Sequence, residues 1–123
     1  MNTITWILTA VLAVVFTISG VAKSTMSRDR LIATGQTGIA PFPMPVVRAV
    51  AIAELCAVVA LFVPWLTDTA RVLTPLAALG LTGVMIGAAT SHASLREPKS
   101  VAANTTLLAL AAFVAAARFA TLT

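Results

Sequence analysis

The chain has 123 residues, a length for one domain, with 59% hydrophobic and only 10% charged residues. A soluble domain carries roughly 25% charge, so a water-facing surface is excluded and an integral membrane protein is implied. The formal net charge of +4 does not point to nucleic acid, because the basic residues sit between apolar runs with no basic stripe and no aromatic interleaving.

Four apolar runs follow one another, at residues 4–22, 46–66, 72–90 and 101–120. Each is close to the roughly 20 residues a helix needs to cross a hydrocarbon core. None alternates as a barrel strand would, and only helices or closed barrels satisfy the backbone in lipid. The first run has no lysine or arginine before it and no small-residue cleavage site after it. It is expected to be a retained helix rather than a removed leader. The connection after it, "KSTMSRDRLIATGQTGIAPFPMP", is the longest. Its Met26, Leu31 and Ile32 alternate with charges, so part is expected to lie along the membrane surface. Gly35 and Gly38 belong to no phosphate-binding pattern, and the rest reads as a turn-rich linker.

Pro45 suits the first turn of the second helix, where its missing N–H costs nothing, and Pro75 sits similarly early in the third. The second run contains the lone cysteine, Cys56, expected to be a buried inert thiol. In the third run Gly80, Gly83 and Gly87 recur at spacings of three and four. They are expected to serve helix packing within the chain, with a homo-oligomer seam through Gly83 and Gly87 as the alternative. Short second and third connections make neighbouring helices antiparallel. Residues 1–123 are thus read as one all-α domain, an up-down four-helix transmembrane bundle.

Lys23, Arg28, Arg30 and Arg48 flank the first connection, and Arg96 and Lys99 the third. Arg71 and Arg118 fall on the opposite side. The positive-inside rule then puts connections one and three in the cytoplasm and both termini outside, in a multi-pass membrane protein. Trp6 and Trp65 fall at the outer interface, as belt residues.

The chemistry-bearing residues are biased to the cytoplasmic half. Glu54 lies nine residues past Pro45, about 13 Å along a helix. An acid near a helix centre costs roughly 2.5–3.5 kcal/mol on insertion scales, so it should face the bundle interior or a wet cavity with a partner. Ser19 and Lys23 come from the first run, Arg48 from the start of the second, His92 from the end of the third and Asn104 from the fourth. A serine or Asn104 is the simplest structural partner for Glu54. Lys23 is a possible counter-ion, but a vertical gap suggests that a water or ligand lies between them. Glu54 and His92 are the candidate acid–base pair, with Lys23, Arg48, Asn104 and Ser19 as candidate binding residues. One histidine and one cysteine do not make a zinc site, and no metal is expected.

"VFTISGVAK" at residues 15–23, "VRAVAIAELCAVVAL" at 47–61, "GLTGVMIGAATSH" at 80–92 and "NTTLLALAAFVAAAR" at 104–118, in this order and spacing, resemble the four helices of the DoxX-like family. The resemblance implies a small four-helix membrane protein. Some members are associated with membrane oxidoreductase systems, including thiosulfate–quinone chemistry, and with oxidative-stress complexes. The functional expectation is therefore an accessory subunit binding a quinone- or lipid-like ligand beside other membrane or redox proteins. A small intramembrane isomerase or oxidoreductase built on Glu54 and His92, and a structural scaffold or oligomer, are the alternatives. Quinone and haem are the cofactor classes left open.

Overall fold

The computed structural model describes residues 2–122. It contains α1 (Asn2–Thr25), α2 (Arg28–Ala33), a single 3₁₀ turn at Thr37–Ile39, α3 (Met44–Leu66), α4 (Leu73–Ser94) and α5 (Pro98–Ala120). Among the described residues there is no strand. The four longer helices are each long and apolar enough to cross a membrane. Each extends beyond its apolar run at one or both ends except at the start of α4, because polar residues such as Ser94 and Ser100 mark the limit of apolarity, not of helicity.

Local chemistry explains the ends. Ser27 caps α2, accepting from the Arg30 N–H at 3.3 Å, with Asp29 in the first turn. Pro45 and Pro98 lie in the first turns of α3 and α5, as expected for residues without an N–H. Arg96 turns the chain between α4 and α5 at φ 57°, a left-handed conformation uncommon for a residue with a side chain. Pro64 lies inside α3 and leaves the Ala60 carbonyl without its helical donor. The Thr74 hydroxyl of α4 donates to that carbonyl at 2.7 Å, so a helix interruption becomes a bond between two helices.

Around the bundle, α1 packs on α3 and α5, and α4 packs on α3 and α5. The main core holds Leu12 and Phe16 of α1, Leu61 of α3, Leu81 and Met85 of α4 and Val114 of α5. Ile7, Val14, Ile18, Val59 and Leu66 stay outside, as suits a surface solvated by lipid tails.

Three expectations are corrected here. Cys56 is exposed on the outside of α3 rather than buried. Gly80, Gly83 and Gly87 are exposed, and a Cβ at any of them would meet nothing within 4 Å, so they do not mediate close packing within the chain. The first connection is a packed cap rather than a linker. Leu31 is fully buried and forms a second core with Ile39 and Val47. Arg28 ties its two ends, donating to the Ala40 carbonyl at 3.2 Å and also to the Phe42 carbonyl. Of the residues expected along the membrane surface, Ile32 alone is exposed, at 38%.

Candidate functional site

Glu54 stands near the middle of α3 with no exposed surface. Two residues of α1 meet it. The Lys23 Nζ donates to Oε1 at 3.1 Å, and the Ser19 Oγ donates to Oε2 at 3.3 Å. Ser19 and Lys23 are one turn apart, so both face α3. Between them, Gly20 makes the approach possible: a Cβ there would come within 2.8 Å of the Leu55 side chain and 3.2 Å of the Ala51 carbonyl. The expected gap between Lys23 and Glu54 is therefore absent. The lysine stem bends into the bundle, its side chain only 13% exposed, instead of snorkelling outward. Arg48 joins from above, its Nη1 donating to the Lys23 carbonyl at 2.6 Å, which caps the end of α1 rather than contacting the carboxylate.

Lys23 and Ser19 border a cavity of about 640 Å³ enclosed by α1, the first connection, α3, α4 and α5. Its walls are mostly apolar, with Val15, Ile18 and Leu107 among them. Asn104 reaches it from α5, its Nδ2 donating to the Ser100 carbonyl one turn back at 2.8 Å. Ile18, Gly83, Gly87 and Ala103 are both cavity-lining and exposed, so the cavity reaches the lipid-facing outside of the bundle.

His92 also borders the cavity but belongs to a second cluster. Its Nδ1 lies 2.7 Å from Glu97 Oε1. An ionised carboxylate only accepts, so Nδ1 carries the proton. The Thr37 hydroxyl donates to both oxygens of Glu97, at 2.8 and 2.9 Å, and the Ser91 hydroxyl donates to the Gly38 carbonyl at 2.6 Å. Gly38 lies against the imidazole, where a Cβ would fall 2.8 Å from Nε2. These contacts fasten the first connection over the end of α4. The bond from His92, followed by that from Thr37, holds the Glu97 carboxyl below the ordinary carboxylate range.

Of the six residues singled out from the sequence, Glu54, Lys23 and Ser19 are brought together, and Arg48 is one bond away. Asn104 shares their cavity but not their hydrogen bonds. His92 pairs with Glu97 and not with Glu54. Glu97 and Thr37 are not singled out by the sequence, and Gly38 reads there only as part of a turn-rich linker, although the acid beside Pro98 in "LREPKS" was a visible signal. Among the described residues, no group of three or more His, Cys, Asp or Glu side chains is arranged to hold a metal.

Four apolar helices around an internal ion pair, beside a cavity that reaches the outside of the bundle, define a small polytopic membrane protein. The chain belongs to the DoxX-like family, which its sequence matches over residues 7–114. No curated protein and no solved structure matches it.

Proposed function

We propose that this protein is an accessory, ligand-binding subunit of a membrane redox or stress-related system, and that its cavity holds a quinone- or lipid-like molecule. The observation that carries this reading is the position of Lys23 and Ser19, already engaged with Glu54, on the border of an otherwise apolar cavity that reaches the outside of the bundle. An ammonium has three donors, and one is spent on Glu54, which leaves two for a ligand acceptor. Its charge is balanced by the carboxylate. A ligand with a neutral, carbonyl-bearing head and an apolar body suits such a pocket better than an anionic one.

Protein purified in mild detergent should retain such a ligand, visible by ultraviolet–visible absorption and mass spectrometry. Asn104→Leu narrows the cavity and leaves the ion pair intact, and should lower retention at least about tenfold. Wild-type protein that carries no quinone or lipid-like molecule, and takes up none when it is added, would refute the assignment.

In the same reading, connections one and three face the cytoplasm and both termini face outward, from the bias of lysine and arginine. With Cys56 replaced by serine, a thiol introduced by Ser27→Cys should resist impermeant reagents added to intact cells, whereas one from Thr69→Cys should react. The reverse pattern would invert the topology.

A further inference from the structure

His92 has one ring nitrogen that the cap over α4 leaves unused. Nδ1 is spent on Glu97 at 2.7 Å, and the Thr37 hydroxyl holds that carboxylate by both oxygens. Among the described residues, nothing hydrogen-bonds Nε2. The residue is only 8% exposed, yet Nε2 keeps some accessible surface, and the ring borders the cavity of about 640 Å³ that Lys23 and Ser19 reach from α1. Buried polar atoms are as a rule hydrogen-bonded, so an unused nitrogen on a cavity wall points to an occupant of the cavity.

Three elements build this arrangement. His92 lies near the end of α4, Glu97 precedes Pro98 at the start of α5, and Thr37 and Gly38 form part of the 3₁₀ turn. Gly38 leaves room beside the ring, since a Cβ there would fall 2.8 Å from Nε2 and 3.1 Å from Cε1. The bond to Glu97 keeps the proton on Nδ1. In the neutral ring Nε2 then carries only a lone pair, and accepts without donating. Lys23, on the same cavity, only donates. The two residues therefore ask opposite things of a ligand. A carbonyl oxygen and a hydroxyl oxygen both satisfy Lys23. Only a hydroxyl satisfies His92, because a carbonyl set against Nε2 would face one lone pair with another.

We infer, building on the ligand-binding reading of this cavity, that its ligand carries a hydroxyl that donates to His92 Nε2. Glu97 and Thr37 act through His92, as positioning residues that fix the ring and its tautomer. Two chemistries supply such a hydroxyl on an uncharged, largely apolar body: a hydroquinone, and a glycerolipid with a free hydroxyl.

The test uses two pairs of compounds that differ chiefly in the donor. One is a decyl-tailed hydroquinone and its quinone; the other is dioleoylglycerol and its methyl ether. The full chain in neutral detergent micelles would be titrated anaerobically with each, and bound compound counted by mass spectrometry after the free compound is removed. In at least one pair the hydroxyl-bearing member should half-saturate the wild-type protein at a concentration at least about tenfold below that of its partner. The pair that discriminates identifies the source of the hydroxyl. His92→Asn, whose amide can still donate to Glu97 but places nothing at Nε2, should bring that ratio close to one, whereas a difference in micelle partition would persist. Gly38→Ala, which sets a methyl against Nε2 with His92 in place, should lower the ratio too. Equal binding within each pair, or tighter binding of the member without the hydroxyl, overturns the inference in the wild-type protein alone, and leaves the cavity a ligand site. A ratio unchanged in His92→Asn overturns it as well. Uptake of none of these compounds refutes the ligand-binding reading itself, and the hydroxyl assignment with it.

Discussion

Glu54 and Lys23 set the energetic stakes at the level of single residues. A carboxylate without exposed surface, in a helix whose apolar window has a mean hydropathy of 2.4, is tolerable only when paired and hydrogen-bonded. Lys23→Met leaves that carboxylate with Ser19 alone. Removing one partner of a buried pair costs about 3–5 kcal/mol, whereas replacing both by apolar residues is often neutral. Lys23→Met should therefore lower the unfolding temperature in detergent sharply, and adding Glu54→Leu should restore most of the loss. If the double variant is no more stable than the single one, the ion pair is not the source of the effect. The need for a partner was legible in the sequence, since an acid amid apolar residues demands one. The direct contact was not, because helix length alone put Lys23 too far away. Its reach depends on the inward bend of a flexible side chain and on Gly20, whose missing Cβ brings α1 against α3.

Among the elements, the four spans were visible because lipid-facing helices are apolar almost all round, a signal that runs the whole length of each. The cap over α4 was hidden for the opposite reason. It is built from short turns whose stability comes from tertiary contacts, with Leu31 buried against Ile39 and Val47 from elsewhere in the chain. Glu97 fastens this cap through His92 and Thr37. Its carboxyl is held below the ordinary value of 4.5, so its folded-state pKa lies under the unfolded one. The sign follows from linkage: the stabilisation is complete above the unfolded value and is lost as pH falls through the lowered folded one. Hydrogen exchange over residues 34–42 should therefore stay slow, after correction for its intrinsic pH dependence, until pH falls below about 4.5. Glu97→Gln should remove that transition. Persistence of the same transition in the variant would assign it to another group.

For the whole molecule, the open question is what covers the exposed glycines of α4. Gly83 and Gly87 form a small-residue motif that draws helices together in membranes, and a Cβ at either meets nothing within 4 Å. They also line the cavity of about 640 Å³, so the same missing side chains leave room for a ligand. The two roles separate under one substitution. A Cβ at Gly83 meets nothing within 4 Å, so Gly83→Leu should let the helices fold with little change in thermal stability. If the glycines serve the cavity, the variant should lose ligand retention at least about tenfold, with an unchanged mass by light scattering in detergent. If they serve a seam between copies, wild-type protein should be an oligomer and the variant a monomer, with ligand retention preserved. A ligand-binding subunit predicts the first result. The second would turn the bundle into a scaffold whose polar interior is structural, with Lys23 and Ser19 serving only to make Glu54 tolerable inside the membrane.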